Sequence, residues 1–185
     1  MKVIGVTGLN GSGKDEILRY LNNKYGMPCI SPSDIVREIA EGEGLQLDRE
    51  SLDLFALQHF EFHGEGFFLK LVIETIKNQN RPVYGISGIR FPQDVTLLRA
   101  AFQQDFLLIK VVVSDDRVRF TRMMAEGSQR YKLTFTRFMK HDRADQKSFR
   151  IRKTLQMADA AIINDSTIEN LHNEIEKLVK ERGIF

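Results

Sequence analysis

Two kinds of hydrophobic pattern alternate along the chain. Short apolar stretches rich in β-branched residues predict five strands, at residues 2–7, 27–30, 82–86, 106–113 and 160–163. Between them, apolar residues recur every three or four positions, which predicts helices at 14–24, 35–41, 48–62, 67–77, 92–102, 115–126, 134–140, 147–157 and 167–182. The alternation indicates βαβ units and an α/β fold, a five-stranded parallel sheet with helices on both faces. Ligands of such sheets bind at the carboxyl ends of the strands.

Length and composition narrow the class of protein. The 185 residues fit a single domain spanning 1–185, and 42% of them are hydrophobic, an ordinary value for a globular chain. No apolar run reaches the roughly 18 residues that cross a bilayer, so we expect no membrane partner. The one cysteine, Cys29, excludes an internal disulfide and is expected to be a small apolar residue on a buried strand. We therefore expect a cytoplasmic protein.

The formal net charge of +2 conceals an uneven distribution. Residues 117–153 hold twelve Lys or Arg and three acids, a net charge of +9, whereas the remainder of the chain is −7. A basic segment on an acidic body suggests a polyanionic partner, either nucleic acid or the phosphates of a nucleotide. A solvated helical face explains the same composition without any partner.

The most specific motif follows the first predicted strand. Residues 8–14 match the pattern G-x-x-x-x-G-K between a strand and a helix, in which backbone N–H groups surround phosphate oxygens and the lysine reaches the β- and γ-phosphates. The motif predicts a nucleoside triphosphate site formed by Gly8, Asn10, Gly11, Ser12, Gly13, Lys14 and Asp15. Asp15 stands where a serine or threonine normally ligates Mg²⁺. It is either a metal ligand or an acid that complements the helix dipole.

An ordered series of further segments extends the pattern over nearly the whole chain: 31–37, 85–90, 118–122, 138–143 and 164–167. With the glycine loop, they resemble the P-loop nucleotide kinases, and most closely archaeal-type proteins similar to dephospho-CoA kinase and adenylate kinase. The resemblance implies a five-stranded P-loop fold, a helical acceptor-binding region at 34–80 and a mobile basic lid at 123–146. It also implies ATP and Mg²⁺.

The resemblance assigns residues to the phosphate acceptor. Asp34 and Arg37 match the segment that holds the acceptor, and Arg90 matches an arginine after the third strand with a similar task. A guanidinium suits this role because its fork of N–H groups matches phosphate oxygens. Asp34 is also the candidate base for a hydroxyl acceptor such as dephospho-CoA. Alternatively, it only caps its helix.

Other matched residues belong to the lid and the base. Arg119 and Arg122 fall on the helix that leads to the lid, Arg143 falls on the helix after it, and Asn164 begins the loop that passes over the purine ring in similar kinases. Arg119 alternatively solvates a helix face. The aromatic residues Phe60, Phe62, Phe67 and Phe68 are expected in the core or along an acceptor pocket.

Two positions depart from the family pattern in opposite directions. Where similar kinases carry an acid after the third strand, this chain has Ser87, whereas Asp15 replaces the usual hydroxyl. The pair is either a rearranged magnesium shell with the same ligand types or a site that has lost normal metal binding.

Together the motif and the resemblance imply an ATP-dependent phosphotransferase with a nucleotide-type acceptor, a nucleoside monophosphate or dephospho-CoA. One alternative is a nucleotide-binding regulatory protein or degenerate kinase with little turnover. A remoter one is a nucleic-acid-binding protein that uses 117–153. We expect no nucleic acid partner, because a lid that closes on phosphates is basic in any case.

Overall fold

The computed structural model describes residues 1–64, 66–79, 81–125 and 134–185, without the side chains of residues 49 and 50. The strands are β1 (Lys2–Gly8), β2 (Cys29–Ile30), β3 (Val83–Ile86), β4 (Phe106–Val112) and β5 (Ala160–Ile163). The helices are α1 (Lys14–Tyr25), α2 (Pro32–Gly42), α3 (Arg49–His63), α4 (Phe67–Asn78), α5 (Pro92–Phe102), α6 (Asp116–Ala125), α7 (Phe135–Phe149), α8 (Ile151–Gln156) and α9 (Ile168–Arg182). A single 3₁₀ turn joins α5 to β4.

The five strands form one parallel sheet in the order β2-β3-β1-β4-β5. The central strand is β1, in which Gly5 pairs with Ile86 on one side and with Leu108 on the other. This sheet confirms the predicted fold class. The order also brings the turn after β1, which contains the glycine loop, next to the turns after β3 and β4.

Each face of the sheet has its own hydrophobic core. Val3 and Leu108 face a core built with α2, α3, α4 and α5, whereas the neighbouring Ile4 and Ile109 face a second core built with α1 and α9. Successive strand residues point to opposite faces, so a sheet covered on both sides needs apolar residues at consecutive positions. The run Val3–Ile4 meets this requirement.

Three local predictions were wrong. The basic region forms one long helix, α7, and a short one, α8, which are separated at Arg150, instead of the two short helices predicted at 134–140 and 147–157. Cys29 lies on the edge strand β2 and is exposed, because no strand pairs with β2 on its outer side in the described sheet. Phe62 is 85% exposed, so it belongs to neither core, although Phe68 is buried as expected.

The segments assigned to the acceptor and the lid are mainly helical in their described residues. In its described residues, the region 34–80 contains most of α2 and all of α3 and α4. The segment 123–146 contains the end of α6 and most of α7, and its residues 126–133 lie outside the described residues. Over the described ranges, no helix has the length and apolar character needed to cross a membrane.

Candidate active site

The glycine loop between β1 and α1 has a backbone that only glycine adopts easily. Gly11 and Gly13 have φ values of 74° and 88°. A Cβ on Gly11 would lie 2.5 Å from the carbonyl oxygen of Arg119, and one on Gly13 would lie 2.5 Å from Nδ2 of Asn164. The loop is therefore held against α6 on one side and against the turn after β5 on the other.

Two side chains of the loop suit an anionic ligand. The buried Oγ of Ser12 is the one buried side-chain N or O atom of the described residues that has no hydrogen-bond partner. Buried polar atoms are normally paired, so this hydroxyl fits a ligand that brings polar atoms to the loop. Lys14 has a side chain that is only 16% exposed, and its Nζ lies 3.8 Å from Oδ2 of Asp15. The residues present thus fit the phosphates that the motif implies.

Lys14 faces a cavity at the carboxyl edge of the sheet, which we call the loop cavity; its empty volume of about 320 Å³ includes space open to solvent. Its lining combines the glycine loop, the turn after β3, one face of α7 and the start of α8: Gly8, Leu9, Asn10, Lys14, Arg90, Asp142, Asp145, Gln146, Phe149 and Ile151. The two acids are already bound to other groups, because Asp142 pairs with Arg119 and Asp145 accepts a hydrogen bond from Nδ2 of Asn10 at 3.1 Å. Lys14 and Arg90 supply the cationic groups of this cavity.

Arg119 is a structural support beneath the glycine loop. It is 1% exposed, and its guanidinium donates to both carboxylate oxygens of Asp142, to Asp116 and to the carbonyl oxygen of Asn10 at 2.8 Å. Burial alone would lower the pKa of Arg119, but the hydrogen bonds to Asp142 and Asp116 outweigh it and raise that pKa. The alternative of a solvated helix face is therefore wrong.

The backbone of Arg90 is fixed from two directions. Its N–H donates to Asp94 of α5 at 3.0 Å, and its carbonyl accepts from the hydroxyl of Thr154 in α8 at 2.7 Å. The preceding residue, Ile89, accepts a buried hydrogen bond from Thr7 of β1. The guanidinium lies 4.9 Å from the centre of the Phe149 ring, a cation–π contact between the turn after β3 and α7.

A second, mostly apolar cavity opens beside this pair, with an empty volume of about 990 Å³. We call it the apolar cavity, and it is lined by Pro32, Leu57, Phe60, Gly66, Phe68, Leu69, Gly88, Arg90, Phe91, Gln93, Asp94 and Phe149. Arg90 and Phe149 line both cavities. A ligand in the loop cavity and a ligand in the apolar cavity would therefore meet at this pair.

Asp15 and Ser87 also share a cleft. They line it with Leu18, Arg19, Asn22 and Cys29, so the structure brings the two exchanged residues to one place beside α1. The Asp15 side chain is 79% exposed. Within the described ranges, no three His, Cys, Asp or Glu side chains converge as a metal site would require. This cleft and the loop cavity have no lining residue in common. A Mg²⁺ ion at Asp15 would be held by one carboxylate and several waters.

Two predicted residues hold the turn after β5. Asn164 is buried, and its Nδ2 donates to the carbonyl oxygen of Ser12 at 2.9 Å. Arg122 donates to the carbonyl oxygens of Asn164 and Ser166 at 3.0 and 3.2 Å. Asn164 thus connects this turn to the glycine loop, Arg122 connects it to α6, and neither side chain lines the loop cavity.

The other predicted site residues lie farther out. Asp34 completes a capping box with Ser31 at the start of α2, and its Oδ2 accepts from both the backbone N–H and the hydroxyl of Ser31 at 2.8 Å. Arg37 is exposed on the same helix. Arg143 is exposed on α7 and lines a separate cleft rather than either cavity.

Sequence reasoning missed two contributors on α7, Asp142 as the partner of Arg119 and Phe149 as the partner of Arg90. A signal for them exists in the spacing of Phe138, Asp142, Asp145 and Phe149, which places all four on one face of a helix. The predicted break after residue 140 hid this periodicity.

Comparison with known proteins agrees with this fold. A family model described as an AAA domain matches residues 7–138. A UPF0200 protein of Thermococcus kodakarensis is 31% identical over 181 residues, 97% of each chain, and one of Sulfurisphaera tokodaii is 31% identical over 180 residues. Among solved structures, shikimate kinase from Bacteroides thetaiotaomicron has a TM-score of 0.63 at 16% identity over 98% of each chain. A gluconokinase from Sinorhizobium meliloti has a TM-score of 0.56 at 12% identity, covering 97% of this chain and 94% of that one.

Proposed function

The chain belongs to this AAA-domain family and to the archaeal UPF0200 proteins, within the P-loop nucleotide kinase superfamily, and from that premise we propose that it is an ATP-dependent phosphotransferase. The acceptor is a nucleotide-type molecule, a nucleoside monophosphate or dephospho-CoA. The observation that carries the proposal is the meeting of the loop cavity and the apolar cavity at Arg90 and Phe149. Phosphoryl transfer depends chiefly on such positioning and on neutralising charge.

The triphosphate binds in the loop cavity. The glycine loop surrounds it with backbone groups of Gly8, Asn10, Gly11, Ser12 and Gly13, and Lys14 contacts the phosphoryl group that is transferred. The unpaired Oγ of Ser12 supports this assignment because a phosphate oxygen would satisfy it. Asn164 acts by holding the loop through Ser12 rather than by reading the base directly.

The four arginines that the sequence assigned to catalysis have three different placements. Arg90 has the best support for a catalytic role, because it faces both ligands and its backbone is fixed from two sides. Arg122 positions the turn after β5. Arg37 and Arg143 remain proposed contacts to phosphate that require movement of α2 or α7, since both are exposed away from the two cavities.

Mg²⁺, when bound, neutralises charge on the triphosphate and aligns its phosphates. Asp15 is the proposed carboxylate ligand, and Ser87 is the proposed second contact, direct or through water. Their common cleft supports this pairing. The opposite charge of a cation also relieves the repulsion that the Asp15 carboxylate would otherwise exert on a triphosphate.

The acceptor is inferred from the apolar cavity. Leu57, Phe60, Phe68 and Phe91 give it a surface for an aromatic ring or an aliphatic arm, with Arg90 at one end for a phosphate or hydroxyl. A nucleoside monophosphate needs no general base. For a hydroxyl acceptor, Asp34 is the proposed base through its Oδ1, since Oδ2 is occupied by Ser31.

The experiment is an acceptor screen with purified protein, ATP and Mg²⁺, in which ADP formation is measured. The panel contains nucleoside monophosphates and dephospho-CoA, with shikimate and gluconate as polar acceptors of similar size. We expect acceptor-dependent ADP formation with a nucleotide-type member. Faster ADP formation with shikimate or gluconate than with every nucleotide-type acceptor would overturn the acceptor assignment.

A second candidate is a nucleotide-binding protein with little turnover. The observation that favours it is the carboxylate of Asp15, which stands in the position of a hydroxyl and is 79% exposed instead of being held toward the loop cavity. Tight ATP binding without ADP formation for any acceptor would select this function over the first.

A further inference from the structure

A strongly basic cleft lies along α7 and α8, next to the face of α7 that lines the loop cavity. It has an empty volume of about 810 Å³ and is lined by Arg143, Gln146, Lys147, Arg150, Arg152 and Lys153. Five of these six residues carry a positive charge and none is acidic. This density of charge contrasts with a formal charge of only +2 for the whole chain.

This basic cleft is separate from the loop cavity. The two share one lining residue, Gln146, and α7 explains the separation. Asp142, Asp145 and Phe149 lie on the helix face toward the glycine loop, whereas Arg143 and Lys147 lie on the adjoining face. In this arrangement none of the five cations lines the loop cavity, although the sequence suggested that a basic lid would neutralise the triphosphate there.

The positive charges of the basic cleft are not balanced by acids within the described residues. None of the five forms an ion pair there, and the one side-chain hydrogen bond joins Nε of Arg152 to Oε1 of Gln146 at 3.3 Å. All five cations are exposed. Like charges that are held close together repel one another, and an anion in the cleft would relieve this repulsion.

Arg150 occupies its place in the cleft at a conformational cost. Its φ of 52° and ψ of 33° are left-handed, a region that normally favours glycine. The residue ends α7, because its backbone N–H points to the carbonyl oxygens of Gln146 and Lys147, and it also precedes α8. Glycine would serve this turn better. The backbone of the turn therefore does not explain why an arginine stands here.

We propose that the basic cleft binds a run of linked phosphates, as in the backbone of a single-stranded oligonucleotide. The cleft has the cations for several phosphates but no aromatic residue on which a base could stack, so the binding is electrostatic and independent of sequence. The ligand class is distinct from the triphosphate of the proposed kinase reaction. The inference does not depend on that reaction.

The test is the fluorescence anisotropy of a labelled ten-nucleotide single strand, titrated with protein at several salt concentrations. With four or five phosphates neutralised, the logarithm of the association constant should fall against the logarithm of salt with a slope of about −3. Arg150→Gly should reduce the slope by about 0.7 and weaken binding by about tenfold, while leaving the fold intact because glycine suits the turn.

Two further variants make the result specific. Lys147→Ala combined with Lys153→Ala removes two charges from the basic cleft and should reduce the slope by about 1.4. Lys177→Ala combined with Lys180→Ala removes the same charge from exposed positions of α9 and should leave binding nearly unchanged. Lys14→Ala should also leave oligonucleotide binding unchanged, because Lys14 belongs to the loop cavity.

Inorganic tripolyphosphate and ATP, added as competitors, distinguish the sources of the phosphates. Displacement by tripolyphosphate at a concentration similar to that of the oligonucleotide would assign the cleft to a small polyphosphate. Weak displacement would assign it to a nucleic acid backbone. Equal losses from the α9 and cleft variants, or no binding of either polyanion at low salt, would overturn the proposal.

Discussion

Arg119 of α6 and Asp142 of α7 form a buried, two-pronged ion pair, with Nη1–Oδ1 and Nη2–Oδ2 distances of 3.0 and 2.8 Å. Their side chains are 1% and 2% exposed. The same guanidinium holds the carbonyl oxygen of Asn10, so the pair links the glycine loop to the two helices that flank residues 126–133. This ion pair therefore supports the candidate site, although Arg119 itself lines neither cavity.

Removing one partner of this pair should be costly. Asp142→Ala leaves a buried guanidinium with only Asp116 as an acidic partner, and we expect the free energy of unfolding to fall by about 3–5 kcal/mol. Urea denaturation measures this loss. Asp145→Ala is the control, because it removes only the partly buried hydrogen bond from Asn10 and should cost about 1 kcal/mol. Equal losses from the two variants would contradict the supporting role of the pair.

The sequence predicted the local part of this architecture. Alternating strands and helices, the glycine loop and most element boundaries follow from patterns that span fewer than 20 residues. The strand order β2-β3-β1-β4-β5 does not, because it depends on pairing between distant segments. The ion pair was hidden for the same reason, since Arg119 and Asp142 belong to different helices.

Two of the wrong predictions from the sequence concern single residues, and each has a physical cause. The helix break at Arg150 could not be predicted because no glycine or proline marks it. Cys29 was expected on a buried strand, but a strand of the same composition is exposed when it forms the edge of a sheet. For the candidate site, the motif located the triphosphate loop, whereas the shared position of Arg90 and Phe149 required the packing of α7 against the turn after β3.

The exchanged residues Asp15 and Ser87 should act together. Asp15→Ser leaves two hydroxyls facing the cation and should weaken Mg²⁺-dependent ATP binding, because no carboxylate remains. Ser87→Asp places two carboxylates in the cleft and should raise the Mg²⁺ requirement. The double variant restores the usual arrangement and should recover affinity. Calorimetry of ATP binding over a range of Mg²⁺ concentrations measures the cycle.

Coupling is the decisive quantity in that cycle. Effects that add within about 0.3–0.5 kcal/mol would mean that the two residues do not share a metal. Asp15 would then be an acid that complements the positive end of the α1 dipole.

Changes at Arg90 or Phe149 should affect the kinetics with the acceptor more than the kinetics with ATP. Arg90→Lys keeps the charge but loses the planar fork and its stacking on the ring, and Phe149→Leu loses the same contact from the other side. We expect either change to lower kcat/KM for the acceptor by about tenfold, with a smaller effect on the KM for ATP. Phe62→Leu, on an exposed position of α3, should change neither parameter. An equal effect on both substrates would argue against a separate acceptor cavity.

The thiol of Cys29 should be alkylated slowly, although the residue is exposed. The residue as a whole is exposed, but its Sγ lies 3.6 Å from the carbonyl oxygen of Met27 and 3.8 Å from that of Leu18, partly withdrawn from water. This desolvation raises the pKa of the thiol from 9.0 to about 11, so the reactive thiolate is scarcer in the folded chain than in the unfolded chain. At pH 8, alkylation by iodoacetamide should be about 100-fold slower for the folded protein than for the urea-unfolded protein. The rate should rise about tenfold per pH unit between pH 8 and 10. A folded rate equal to the unfolded rate at pH 8 would contradict this environment.

The central claim is that Lys14 and the glycine loop hold a triphosphate whose terminal phosphoryl group is transferred. The most direct measurement supplies ATP labelled in the γ-phosphate, with Mg²⁺ and a mixture of nucleoside monophosphates and dephospho-CoA, and separates the products by chromatography. We predict that the label appears in one acceptor with the unaltered protein, and that Lys14→Ala reduces the transfer at least tenfold, since a charge-assisted contact contributes about 1.5–3 kcal/mol. Lys177→Ala should transfer label normally. Label that stays in ATP, or appears only as free phosphate whatever acceptor is present, would contradict the claim.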